Sequence, residues 1–120
     1  MSLQKATRAL SDFVADYHEL DNVMTVATLA VYSYIATHPH CAAADISRDL
    51  KLSQPATARH LQRLEKGSEG SKAVGRGLEF IEHYPDPADA RRRLYVCTDR
   101  GQALFTASAR KLLKALDIHT

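Results

Sequence analysis

The sequence has little cysteine and no long apolar run. Only Cys41 and Cys97 occur among its 120 residues, too few for a disulfide framework, so we expect both to be reduced thiols. A membrane helix needs about 20 consecutive apolar residues. The longest weakly polar stretch, residues 23–36, is interrupted by threonine, serine and tyrosine. The N-terminus also shows no basic-then-apolar signal pattern. These absences argue against a secreted or membrane protein, and we expect a cytoplasmic one.

The patterns typical of catalysis are missing as well. The sequence has no glycine-rich phosphate loop, no nucleophile motif and no spaced set of metal ligands. His38, His40 and Cys41 are close together, but three ligands around a proline rarely give the tetrahedral geometry of a zinc site. Neither cysteine has net basic surroundings that would activate its thiolate. We therefore expect no enzyme, no metal and no cofactor.

The charges that are present are unevenly distributed. The net charge is only +2, with 45% hydrophobic and 25% charged residues, as in an average soluble domain. Residues 1–40 carry two cations against four carboxylates, whereas residues 48–66 carry five cations against two carboxylates, and residues 91–93 are all arginine. A basic middle and late part on an otherwise acidic scaffold is typical of a surface that binds a polyanion.

Apolar periodicity predicts a mostly helical chain. Apolar residues recur at three- and four-residue spacing in five segments. The predicted helices lie at about 3–20, 25–37, 43–50, 54–66 and 99–116. Thr25, Ser53 and Thr98 are suitable N-caps, and Pro39 stops the second helix because the residue before a proline is pushed out of helical geometry.

One small β-hairpin is predicted between the last two helices. Residues 78–84 and 92–97 have the composition of strands, and residues 85–89 between them have the chemistry of a turn. Leu94 and Val96 would lie on one face of the returning strand, since strand side chains alternate between faces.

This order of elements is that of a winged helix-turn-helix. Three helices followed by a two-stranded hairpin place a recognition helix beside a wing. We predict a single domain over residues 1–120, mostly α with a small β-hairpin (α+β). Within it, residues 44–66 form the helix-turn-helix and residues 78–97 form the wing. Helices at about 3–20 and 99–116 flank this unit as N- and C-terminal dimerisation helices.

The second helix of the helix-turn-helix is predicted to enter the major groove of DNA. Thr57, Leu61 and Leu64 follow a helical repeat and should face the core, which turns Arg59 and Arg63 outward. Arginine reads guanine through two hydrogen bonds, so Arg59 is the best candidate for a base contact. The neighbouring polar groups would bind phosphates or flank the face. The predicted DNA-contacting residues of this segment are Lys51, Ser53, Gln54, Pro55, Ala56, Arg59, His60 and Arg63.

Three arginines directly follow the predicted hairpin turn. Arg91 and Arg93 should share one face of the strand, with Arg92 on the other. Arginine suits a narrow minor groove electrostatically, and all three are predicted to contact DNA beside the recognition helix. Asp86 or Asp89 would pair with Arg91 and set the shape of the turn.

The wing contains a specific set of residues: Asp86, Pro87, Asp89, Arg91, Thr98 and Gly101. They fall at the positions of the D-P-x-D-x-R and L-T-x-x-G wing pattern, so the segment closely resembles MarR-type regulators, with Cys97 in place of the usual leucine. Residues 52–61 are similar to the recognition helix of both MarR-type and ArsR-type regulators. The resemblance covers about residues 25–116. It implies a homodimeric repressor or activator with Gln54, Ala56, Arg59 and Arg91 near double-stranded DNA.

Two features depart from the family that the wing resembles. Residues 67–77 contain four glycines and two serines and are predicted to form a loop. Residues 68–76 of this loop look like an insertion, in which Lys72 and Arg76 are further candidates for contacts with the DNA backbone. The chain also ends soon after its long C-terminal helix, whereas many relatives have a further helix that roofs a ligand pocket. No small-molecule effector is assigned.

The first and last helices carry wider apolar stripes than one small domain needs. We expect two chains to pair through these helices about a two-fold axis. Their recognition helices would then read an inverted repeat with half-sites about 10 bp apart. The predicted dimerisation residues are Leu3, Leu10, Phe13, Tyr17, Leu104, Leu112, Leu113 and Leu116.

Together these features predict a sequence-specific, double-stranded DNA-binding transcription regulator that acts as a homodimer. Two alternatives stay open. A winged-helix interaction module would use the same basic face to dock on an acidic surface of the transcription machinery. An ArsR-type repressor would change its DNA affinity in response to a metal or an oxidant. Sequence preference on DNA distinguishes the first alternative, and a response to metal or oxidant distinguishes the second.

Overall fold

Five helices and a three-stranded antiparallel sheet make up the described part of the chain. The computed structural model describes residues 2–20, 24–66 and 78–116. In chain order the elements are α1 (Leu3–Leu20), α2 (Val26–Thr37), β1 (Cys41–Ala42), α3 (Ala43–Leu50), α4 (Gln54–Lys66), β2 (Ile81–Asp86), β3 (Asp89–Cys97) and α5 (Asp99–Ala115). The predicted fold class is confirmed. None of the described helices is long and apolar enough to cross a membrane.

Local side chains set the helix ends where the sequence predicts them. The hydroxyl oxygens of Thr25, Ser53 and Thr98 each accept a hydrogen bond from the backbone N–H three residues further on, over 3.1, 3.2 and 3.0 Å. Each bond satisfies one of the N–H groups that a helix leaves without an internal partner at its start. At the other end, α2 stops at Thr37, two residues before Pro39. All five predicted helices are therefore confirmed.

The hairpin differs from its predicted bounds. β2 begins at Ile81 instead of Leu78, and β3 begins at Asp89, which leaves only Pro87 and Ala88 in the turn. The N–H groups of residues 78–80 donate instead to carbonyls at the end of α4, over 2.9 to 3.4 Å. These bonds satisfy orphan carbonyls of that helix end, so the same residues do not pair with β3.

The two-residue strand β1 was not predicted. The strand order is β1-β3-β2, with Cys41 opposite Tyr95 and Ala42 opposite Leu94. Two residues carry no periodic signal, so this strand is recognisable only once β3 lies beside it. The pairing places the start of α3 directly next to the wing, which consists of β2, β3 and their turn.

The face of β3 that enters the core is the one that carries Tyr95. Tyr95 is 6% exposed, whereas Leu94 and Val96 are only half-buried. Alternation along a strand separates two faces, but it does not say which face the helices will cover. In the fold the face that includes Tyr95 joins the core.

Tyr32 lies at the centre of that core. Its ring is fully buried, and the rings of Phe80, Phe105 and Tyr17 lie with centroids 5.2, 5.4 and 6.0 Å away. Its hydroxyl donates a hydrogen bond to the carbonyl of Gly101 in the first turn of α5. A Cβ atom on Gly101 would lie 1.9 Å from the carbonyl oxygen of Phe80. Glycine is therefore required at this position for α5 to pack against the chain that leads into the wing.

Helices α1 and α5 pack on each other at one side of this core. Lys111 of α5 contacts Asp16 of α1, with Nζ and Oδ2 2.7 Å apart. Tyr17 was predicted to form part of a dimer interface, but it is 3% exposed and lies in the core of its own chain. Leu3 and Leu10 are 83% and 58% exposed. The remaining predicted interface residues are half-buried: Phe13, Leu104, Leu112, Leu113 and Leu116.

Candidate nucleic-acid interface

Helix α4 is fixed by its contacts with α3 and the core. Thr57, Leu61 and Leu64 are 1%, 4% and 0% exposed, which confirms the predicted inner stripe. The hydroxyl groups of Thr57 and Ser47 are hydrogen-bonded at 2.8 Å and link α4 to α3. The turn between the two helices contains Lys51, whose φ of 56° is left-handed. α4 is thus held rigidly along one side, and its other side is left open.

The open side of α4 is broader than the sequence analysis proposed. Gln54, Pro55 and Arg59 are exposed as predicted. Ala58 and Gln62 are exposed as well, and both were missed. A helical wheel with the three core residues at its centre places Gln62 on the outward half of the helix, so the signal was present in the sequence. Gln62 is uncharged, so the basic pattern of this helix does not mark it.

The cations on this side of α4 differ in solvent exposure. Lys51 and Arg59 are exposed, and no carboxylate of the described residues forms an ion pair with either of them. Arg63 is half-buried, and Ala56, two turns earlier on the same side of α4, is half-buried too. Unneutralised cations on a helix surface raise the local potential and attract an anion.

His60 faces α2 more than it faces solvent. Its Nδ1 is hydrogen-bonded to the hydroxyl of Thr28 at 2.9 Å, and Thr28 in turn is bonded to the hydroxyl of Thr25 at 3.0 Å. Burial, followed by the charges of Arg63 and Arg59, lowers the pKa of His60. A neutral imidazole in this place connects α4 to the cap of α2, so His60 is a poor candidate for a direct DNA contact.

The three wing arginines have three different environments. Arg91 has a side chain 93% exposed and pairs with Asp89 at 3.3 Å, one of the two partners that the sequence suggested. Arg93 is exposed and lines the space between the wing and α4. Arg92 points to the other face, where its guanidinium contacts Asp45 at 3.5 Å and Asp86 at 3.9 Å. The predicted division of faces is therefore observed, and it separates Arg92 from the other two.

A groove of about 530 Å³ runs between α4 and the wing. Its α4 wall includes Gln54, Ala58 and Gln62, and residues 43, 44 and 47 of α3 line it as well. Across the groove, His83 of β2 contacts Glu65 of α4, with Nδ1 and Oε1 2.7 Å apart. This contact joins the wing directly to α4. The groove brings uncharged amides and the cationic Arg93 onto one continuous surface.

The remaining candidates do not form a second site. Lys72 and Arg76 lie outside the described residues. Among the described residues no group of three histidine, cysteine or acidic side chains is arranged to hold a metal ion. His38 stacks on Tyr34, and His40 bonds the hydroxyl of Tyr84 at 2.6 Å. Cys41 and Cys97 are free thiols, and burial raises the pKa of each to about 11, so neither is an activated thiolate.

Comparison with known proteins agrees with this geometry. A winged helix-turn-helix DNA-binding family matches residues 24–67, which include α2, α3 and α4. No curated protein matches the chain. Several solved structures share its fold. The transcriptional regulator Tm0710 from Thermotoga maritima is 18% identical, with a TM-score of 0.65 over 94% of this chain and 66% of that one.

Two further solved structures extend the same likeness. MarR is 22% identical, with a TM-score of 0.61 over 96% of this chain and 75% of that one. A variant of S. aureus MepR bound to an oligodeoxyribonucleotide is 20% identical, with a TM-score of 0.59 over 95% of this chain and 67% of that one. Identities this low establish a common fold. The chain is a winged helix-turn-helix protein with the fold of the MarR-type transcription regulators.

Proposed function

We propose that the protein is a transcription regulator that binds double-stranded DNA in a sequence-specific manner as a homodimer. The observation that carries this proposal is the surface formed by the open side of α4 and the facing side of the wing. Arg59 and Lys51 have no ion-pair partner among the described residues, and Arg93 lines the adjoining groove. A rigid helix of this kind fits the major groove, which is about 12 Å wide.

We expect some side chains of α4 to contact bases and others to contact phosphates. Arg59 would read guanine O6 and N7, and Gln54 and Gln62 have the amide groups that pair with adenine. Lys51 and Arg63 would bind phosphates, with Ser53 and the first N–H groups of α4 beside them. Small side chains at Pro55, Ala56 and Ala58 would let the helix approach the bases. On the wing, Arg91 and Arg93 would enter the minor groove or bind its phosphates.

Pairing of two chains is supported by the exposed leucines of α1. Leu3 and Leu10 are 83% and 58% exposed, and Val14 beside them is 50% exposed. Apolar side chains grouped on one surface are typical of a protein interface. A two-fold axis beside α1 and α5 would place two copies of α4 on one face of the duplex and would favour an inverted repeat.

The test is selection of bound sites from random duplex DNA, followed by titration of the enriched site and a scrambled site. We expect an inverted repeat that binds about 10³-fold or more tightly than the scrambled duplex. Arg59→Ala should lower the affinity for the enriched site by about 1–3 kcal/mol and relax the preference at one base position. Arg110→Ala, on exposed α5, is the matched control and should change neither quantity.

Failure to enrich any site would contradict the proposal. Binding that is weak, salt-sensitive and indifferent to sequence would point to a protein partner on the same basic surface. An affinity that changes on adding zinc or an oxidant would point to a sensor instead.

A further inference from the structure

Arg91 pairs with Asp89 on its own strand, at 3.3 Å. Arg92 differs in facing two carboxylates that lie on other elements. Its guanidinium lies between two carboxylates, Asp45 at the start of α3 and Asp86 at the end of β2, at 3.5 and 3.9 Å. Its side chain is 50% exposed, whereas that of Arg91 is 93% exposed. Two of the three guanidinium nitrogens of Arg92, Nη2 and Nε, already face carboxylates, which partly neutralise its charge towards a phosphate.

Both carboxylates also hold the backbone in place. Asp45 Oδ2 accepts a hydrogen bond from the N–H of Ala42 at 3.0 Å and thereby caps α3. Asp86 Oδ1 accepts one from the N–H of Ala88 at 2.9 Å and thereby fixes the hairpin turn. One guanidinium therefore bridges the first turn of the helix-turn-helix and the tip of the wing.

The sheet brings these groups together. Ala42 pairs with Leu94, so the start of α3 lies beside the part of β3 that carries Arg92. The same strand presents Arg91 and Arg93 on its opposite face, since strand side chains alternate. Holding Arg92 on one face thus sets the position of the two arginines on the other.

We infer that Arg92 is a positioning residue of the wing, acting through Asp45 and Asp86, and that Arg91 and Arg93 are the wing residues that contact DNA. The second half of this inference rests on the proposed function, and the first half does not. A guanidinium is needed because its fork reaches two carboxylates at once, which a lysine ammonium does less well.

The first experiment uses the free protein, so that it gives an answer even if no DNA is bound. Amide hydrogen exchange of residues 88–91 is measured in the wild type, Arg92→Gln, Asp45→Asn and the double variant. Asparagine retains a side-chain oxygen that accepts the bond from Ala42, so α3 stays capped. We expect a roughly two- to five-fold faster exchange in each single variant, as for an exposed ion pair, and no further increase in the double variant. Unchanged exchange in both single variants would overturn the inference.

The second experiment measures affinity for the selected DNA site as a function of salt. Loss of a phosphate contact lowers the slope of log K against log salt by about 0.9. We expect Arg91→Gln to lower the slope in this way, and Arg92→Gln to weaken binding with the slope unchanged. Asp45→Asn should also weaken binding, because the wing loses its support. A lowered slope in Arg92→Gln would show that Arg92 binds phosphate and would overturn the inference.

Discussion

Two surfaces of the molecule expose different kinds of side chain. One is formed by α4 together with the wing, and the other by α1. The first exposes Arg59 and Gln62, and the second exposes Leu3, Leu10 and Val14. A hydrated arginine is stable while it has no partner, whereas covering an exposed leucine is favourable by about 1.5–3 kcal/mol. Covering the α1 surface with a second chain is therefore always favourable, whereas DNA can bind to the α4 surface and leave it again. We expect salt to weaken DNA binding strongly and dimerisation little.

The strongest way to break this contrast is to place a charge on the apolar surface. Leu10→Glu removes an apolar group from both copies of a two-fold interface and should weaken the dimer by about 3 kcal/mol or more, roughly 100-fold or more in Kd. Sedimentation equilibrium measures the change. Ala15→Glu, an exposed position turned away from Leu10 by helical rotation, is the matched control. A wild-type protein that is monomeric at micromolar concentration would refute the dimer outright.

A second substitution tests how α5 packs against the chain that leads into the wing. Gly101 lies where α5 meets Phe80 at the entrance to the wing, and Gly101→Ala would bring a Cβ to within 1.9 Å of a backbone oxygen. We expect the free energy of unfolding to fall by about 2–3 kcal/mol, since backbone atoms cannot give way as a flexible side chain does. Urea denaturation measures it. Gln102→Ala, on the exposed neighbour, should leave stability nearly unchanged, and an equally stable Gly101→Ala protein would mean that α5 docks in another way.

The smallest effect concerns pH and His60. Burial and two arginines lower its pKa in the folded state below the ordinary value of 6.5. The unfolded chain therefore takes up the proton first as the pH falls. The stability contributed by the neutral ring is complete above pH 6.5 and is lost as the pH falls through the folded-state pKa. The wild type should lose more stability between pH 7.5 and pH 5.5 than His60→Gln does, as measured by urea denaturation at both values. Equal losses in the two proteins would argue against a neutral, half-buried imidazole at His60.

Local patterns were sufficient to predict the helices and the side of α4 that packs inward. The caps at Thr25, Ser53 and Thr98 act within one turn of chain, and the inner stripe of α4 follows directly from helical periodicity. The D-P-x-D-x-R pattern identified the wing. The exact bounds of the wing strands could not be predicted. The N–H groups of residues 78–80 donate to carbonyls at the end of α4, which is distant in sequence from the wing turn.

The sequence by itself determined where the helices lie, which side of α4 packs inward and that basic residues cluster beside it, because these properties depend on residues a few positions apart. Only the tertiary structure decided that Tyr95 enters the core, that His60 faces Thr28 and that Arg92 meets Asp45 and Asp86. The reason is physical: alternation along a strand or helix defines faces, but the neighbour that packs on each face belongs to a distant part of the chain.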